Sequence, residues 1–135
     1  MEVSMQWEGG MKFSATNEWG VPITTDAGPR GGGEEDGYKP TELLLWGIAG
    51  CTGIDVVRIL EKKRQKLESL EIFVSTEQEA EYPKPFHAVH VRYVATGEVS
   101  LKALESAVHL SESKYCVVSQ TVERPTKVTT SCEIV

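Results

Sequence analysis

Apolar and polar positions alternate at the start of the chain. Val3, Met5 and Trp7 are separated by Ser4 and Gln6, the period-two signature of a half-buried strand. Gly9-Gly10 supplies a turn, and Phe13 and Ala15 resume the alternation, so a hairpin is expected. Val21–Thr25 predicts a third short strand, and the glycine-rich stretch from Gly28 to Pro40 predicts a loop without regular structure. The period then changes. Pro40 to Lys66 predicts one long helix of about 25 residues, roughly 40 Å at 1.5 Å per residue. Pro40 suits its first turn, where a missing N–H costs nothing. Lys62, Lys63, Arg64 and Lys66 complement the negative pole as a solvated end. Between Leu43 and Val57 the apolar residues fall on nearly every face, and such a helix must be covered from several sides.

Downstream, Leu70, Ile72 and Val74 alternate with polar neighbours, Tyr82–Pro85 interrupts, and Val89, Val91, Tyr93 and Ala95 return on one face. These segments predict a second hairpin. Gly97 is expected to turn the chain into a helix whose buried side carries Leu101, Leu104, Val108 and Tyr115. Cys116 is placed at the start of a short further helix ending before Pro125. A last strand is expected with Val128, Thr130, Cys132 and Ile134 on its inner face. The order of elements predicts a single α+β domain over residues 1–135, with antiparallel sheet wrapped around a long buried central helix. About six strands from one small chain do not cover such a helix, so a homodimer is expected. Gly47, Gly50 and Gly53 recur along one stripe, each costing about 1 kcal/mol relative to alanine in a helix. A close approach by another backbone or a small ligand would account for them.

With 14 basic against 20 acidic side chains and a formal charge of −6, the chain is not expected to bind nucleic acids or anionic membranes in general, since such affinity rests on Lys and Arg clusters. The N-terminus carries no basic-then-apolar signal pattern, and a cytoplasmic protein is expected. The central apolar run, about 15 residues interrupted by glycines and closed by Asp55 and Arg58, is expected to be too short to cross a bilayer. Three cysteines without close spacing make neither a disulfide framework nor a zinc motif. His87 and His90, three apart on a strand, face opposite sides, and His109 stands alone on a helix. No metal and no cofactor are expected.

The candidate chemistry lies in the cysteines. Cys51 and Cys116 sit among apolar residues, where a cysteine serves either as a small packing residue or as a nucleophile. Cys132 reads as packing. A nucleophile needs a thiolate, and burial opposes one. Cys51 lies about ten residues inside its helix, beyond the reach of the N-terminal dipole. A cation must therefore help, and Arg30, isolated in the glycine-rich loop, is the candidate.

The helix opening Lys39-Pro40-Thr41-Glu42-Leu43-Leu44, the following Ala49-Gly50-Cys51 and the later Lys114-Tyr115-Cys116 resemble the OsmC/Ohr family of osmotically inducible and organic hydroperoxide resistance proteins. Cys51–Val57 and Ser113–Cys116 are similar to a less characterised OsmC-like branch. The resemblance spans essentially the whole chain. It implies an intertwined α+β homodimer with active sites at the subunit interface, and a thiol peroxidase acting on organic hydroperoxides or hydrogen peroxide without metal or prosthetic group. It further implies that Cys51 is the peroxidatic thiolate, that Cys116 resolves its sulfenic acid to a disulfide, and that a lipoyl-type dithiol restores both. Studied members of the family place a glutamate ten residues before the reactive cysteine, paired with an arginine. Here Thr41 holds that position and the carboxylate is on Glu42, turned by about 100° on a helix. Arg30 stands about where the family's arginine is expected. The alternative implied by this departure is a non-enzymatic OsmC-like module that binds a small ligand or senses oxidants through Cys51.

Overall fold

A computed structural model describes all 135 residues, which group into two compact units, Met1–Trp46 and Gly47–Val135. The architecture is α+β, with antiparallel sheets and one long helix.

In the first unit, β1 (Gln6–Trp7), β2 (Phe13–Thr16) and β3 (Pro22–Thr25) form an antiparallel sheet with Trp7 opposite Phe13 and Ala15 opposite Ile23. Gly9 and Gly10 take positive φ in the first turn, as the hairpin requires. The glycine-rich segment is more ordered than its composition predicts. The buried Asp26 carboxylate accepts hydrogen bonds from the N–H groups of Ala27, Glu34 and Asp36 at 2.8, 3.0 and 3.1 Å. These bonds, the one from Asp36 foremost, hold the Asp26 carboxyl below the usual aspartate range. A 3-10 turn, Pro29–Gly31, lies within this frame.

The long helix α1 spans Pro40–Lys62, four residues shorter than the pattern suggested, because Lys66 already opens the next strand. At 23 residues it is long and apolar enough to cross a membrane by length and composition, a wider span than the expected run. Its buried side chains are Ile48, Thr52, Val56 and Leu60. That spacing of four is a single face. Leu44, Trp46 and Ile54 are exposed, so within one chain the helix is covered on one side and not all round.

In the second unit, β4 (Lys66–Gln78) pairs antiparallel with β5 (Phe86–Glu98). Leu67 and Leu70 are three apart and would face opposite sides of a regular strand. A register shift between Leu67 and Ser69 re-phases β4, and both leucines pack on the core of Val56, Leu60 and Ala107. Gly97, opposite Leu67, is thus part of β5 and not the turn expected. Helix α2 (Leu101–Leu110) is capped by Ser100, whose hydroxyl accepts the Ala103 N–H at 3.1 Å. Ala103, Leu104, Ala107 and Val108 pack inward, whereas Leu101, in the first turn, is exposed. A π turn, Ser111–Tyr115, follows and leads into α3 (Val117–Glu123).

Two further expectations fail. The wide π turn alters the helical phase, so Tyr115 points to solvent instead of joining the buried side of α2. The segment 127–135 forms no strand, and Cys132 is exposed instead of packed. Alternation supplies a face but not a partner, and no neighbouring strand pairs with this segment.

Candidate active site

Three elements of the second unit converge on one point. α1 carries Cys51 at its middle and Asp55 one turn later on the same side. The π turn ends at Cys116, whose N–H donates to Ser111 O at 2.8 Å. That i+5 geometry places Cys116 as the fully buried residue capping α3. The reactive atoms of Cys51, Asp55 and Cys116 all lie within 4.8 Å of one another. Both cysteines are free thiols, Cys51 partly accessible and Cys116 not.

The first turn of α3 serves both sulfurs. The Ser119 N–H donates to Cys116 Sγ at 3.3 Å, and the Val118 N–H faces Cys51 Sγ and favours its thiolate. Opposing influences are stronger. Burial above all, then the neighbouring Cys116 thiol and the Asp55 carboxylate, push the Cys51 thiol above an ordinary cysteine. Asp55 is held by the buried Ser111, whose hydroxyl donates to Asp55 Oδ2 at 2.9 Å. Tyr93 completes the surroundings. Its buried hydroxyl lies beside that of Thr52, which donates to Ile48 O at 3.0 Å and keeps a lone pair able to accept the phenol proton. Burial pushes the Tyr93 phenol up, so it keeps its proton as a donor.

Of the four sequence candidates, folding brings Cys51 and Cys116 together. Arg30 lies exposed in the 3-10 turn of the first unit and enters no ion pair. Glu42 does not pair with it. Its Oε2 accepts the Lys39 N–H at 2.9 Å, closing the first turn of α1. Asp55, Ser111, Val118 and Tyr93 were not singled out by sequence. Asp55 had a legible signal, four residues after Cys51 on a helix, but it read only as the polar end of an apolar run. The glycine stripe is only partly explained. A Cβ at Gly53 would sit 2.9 Å from Ile72 Cδ1, whereas one at Gly50 would meet nothing within 4 Å. Gly50 and Gly53 instead border an open apolar groove of about 550 Å³ lined also by Ile54, Val57, Leu70 and Ile72.

A family model described as OsmC-like protein matches residues 32–131. The chain is similar to Protein YhfA of Escherichia coli K12, 32% identical over 136 residues, covering 100% of this chain and 98% of that one. Among solved structures, a hypothetical protein from Aquifex aeolicus VF5 superposes with a TM-score of 0.79 at 38% identity, covering 90% of this chain and 86% of the other. A protein from Legionella pneumophila described as an organic hydroperoxide resistance protein OsmC superposes with a TM-score of 0.66 at 18% identity, covering 90% and 89%. That last likeness is one of fold.

Proposed function

The chain belongs to the OsmC-like protein family, and from that premise we propose that it is a two-cysteine thiol peroxidase reducing organic hydroperoxides or hydrogen peroxide. The observation that carries this reading is the approach of the Cys51 and Cys116 sulfurs to within 4.8 Å, with Cys51 the more accessible. The Cys51 thiolate attacks the terminal peroxide oxygen. The O–O bond breaks, the alkoxide leaves and takes a proton, and Cys51 becomes a sulfenic acid. The Cys116 thiol then condenses with it, forming the S–S bond and releasing water. An external dithiol, lipoyl-type in chemistry, attacks the disulfide through a mixed disulfide and departs as its own cyclic disulfide. Closing the pair to a bond of about 2.05 Å requires a shift of under about 3 Å.

The test is direct. One equivalent of cumene hydroperoxide should convert the protein to a species lighter by two hydrogens, mapped by peptide mass spectrometry to Cys51–Cys116, and dithiol should reverse it with continued peroxide consumption. Accumulation of sulfinic acid at Cys51 would show that Cys116 does not resolve it.

A second reading, a redox sensor that oxidises once without turning over, rests on the same pair of free thiols together with Thr41 in place of the family's glutamate. Arg30 is proposed as the cation that relieves the opposition to the Cys51 thiolate in the enzyme. We further propose a cytoplasmic location and a homodimer, the dimer supported by the exposed Ile54 and the apolar groove along α1. Light scattering at micromolar concentration should give twice the chain mass. A monomer there contradicts the dimer.

A further inference from the structure

Two sulfurs and a carboxylate converge at the junction of α1, the π turn and α3. Asp55 engages in none of the chain's ion pairs, and the single side-chain bond to it comes from the neutral Ser111 hydroxyl. Reduced and deprotonated, this set is the soft-sulfur and carboxylate donor combination of a thiophilic divalent cation, with three protein ligands and an open fourth position. The distances agree. Zn–S bonds of about 2.3 Å in a tetrahedron place two sulfurs roughly 3.8 Å apart. The three donor atoms already lie within 4.8 Å of one another, so side-chain adjustments of about 1 Å complete the geometry.

The surrounding groups are those that orient metal ligands. Ser111 fixes the Asp55 carboxylate, leaving its other oxygen for an ion. The Ser119 N–H holds the Cys116 sulfur, and the Val118 N–H faces that of Cys51.

We propose that the reduced protein binds one thiophilic divalent cation of the Zn²⁺ class through Cys51 Sγ, Cys116 Sγ and the Asp55 carboxylate, and that the bound ion withholds both sulfurs from oxidation. The proposal needs the two free thiols and the Asp55 carboxylate but no peroxide chemistry, so it stands or falls separately from peroxidase turnover.

The test titrates Zn²⁺ alone into the fully reduced, full-length protein by calorimetry, with Co²⁺ absorption reporting thiolate ligation. One ion per chain is expected, with Cys132→Ser unchanged. Asp55→Asn should weaken binding at least about tenfold, the scale seen when even an outer-shell partner is lost. Cys51→Ser and Cys116→Ser should lose the Co²⁺ thiolate band, and the disulfide form should bind nothing. In case a serine variant fails to fold, wild-type protein supplies a second readout: Zn²⁺ should protect Cys51 from alkylation by iodoacetamide. No stoichiometric binding, binding lost in Cys132→Ser, or alkylation of Cys51 unaffected by Zn²⁺ would each overturn the proposal.

Discussion

Cys51→Ser is expected to lower hydroperoxide turnover by about a thousandfold or more, the scale on which removing a nucleophile acts. A serine hydroxyl cannot be oxidised to a sulfenic acid, and the buried Cys116 cannot take over because substrate does not reach it. Cys116→Ser should behave differently. The first equivalent of peroxide is still consumed at Cys51, but no disulfide forms, and excess oxidant drives Cys51 on to sulfinic acid. Arg30→Ala tests the cation. Burial, Cys116 and Asp55 raise the Cys51 thiol, so the neutral form is favoured near neutrality and the rate should climb with pH as thiolate appears. If Arg30 opposes those influences, its removal moves the midpoint of that climb to higher pH. An unmoved midpoint assigns the arginine to the solvent. Wild-type-like turnover in Cys51→Ser would remove catalysis from this site.

Gly97→Ala is the largest expected effect on stability, at about 2–4 kcal/mol. Gly97 has φ of 110°, outside the range that an L side chain readily adopts. A Cβ there would lie 2.2 Å from Lys66 O and 2.8 Å from Glu68 N. Both atoms are backbone, one in the β4–β5 ladder and one at its register shift, so no rotamer change relieves the clash. Relief requires undoing the register shift that lets Leu67 and Leu70 share the core. Gly53→Ala is the control. Its Cβ would meet Ile72 Cδ1 at 2.9 Å, the free end of a side chain that can swing away, and the helix gains about 1 kcal/mol of propensity. Urea denaturation of the two variants decides the matter: a midpoint drop at Gly97 no larger than at Gly53 contradicts the register argument.

Much of the local structure was legible because it depends on neighbours in sequence. Alternation at Leu70–Val74 and Val89–Ala95 marked the long hairpin, Pro40 marked the start of α1, and Cys116 was correctly set at the head of α3. The same logic over-reached at residues 127–135, where alternation was present but no strand edge was available to pair with it. For α1, whose apolar residues surround the axis, one chain covers only the Ile48–Leu60 face and leaves the remainder to the proposed dimer.

Residue order by itself therefore settled most of the secondary elements and picked out the pair of cysteines worth testing. Only the folded chain decided that those two sulfurs meet, that Asp55 joins them through a bond to a serine 56 positions away, and that Glu42 spends its carboxylate on its own helix end. The physical reason is one of range. Periodicity and capping report energies set within a few residues, whereas a site's geometry depends on contacts whose partners are remote in sequence and leave no periodic trace.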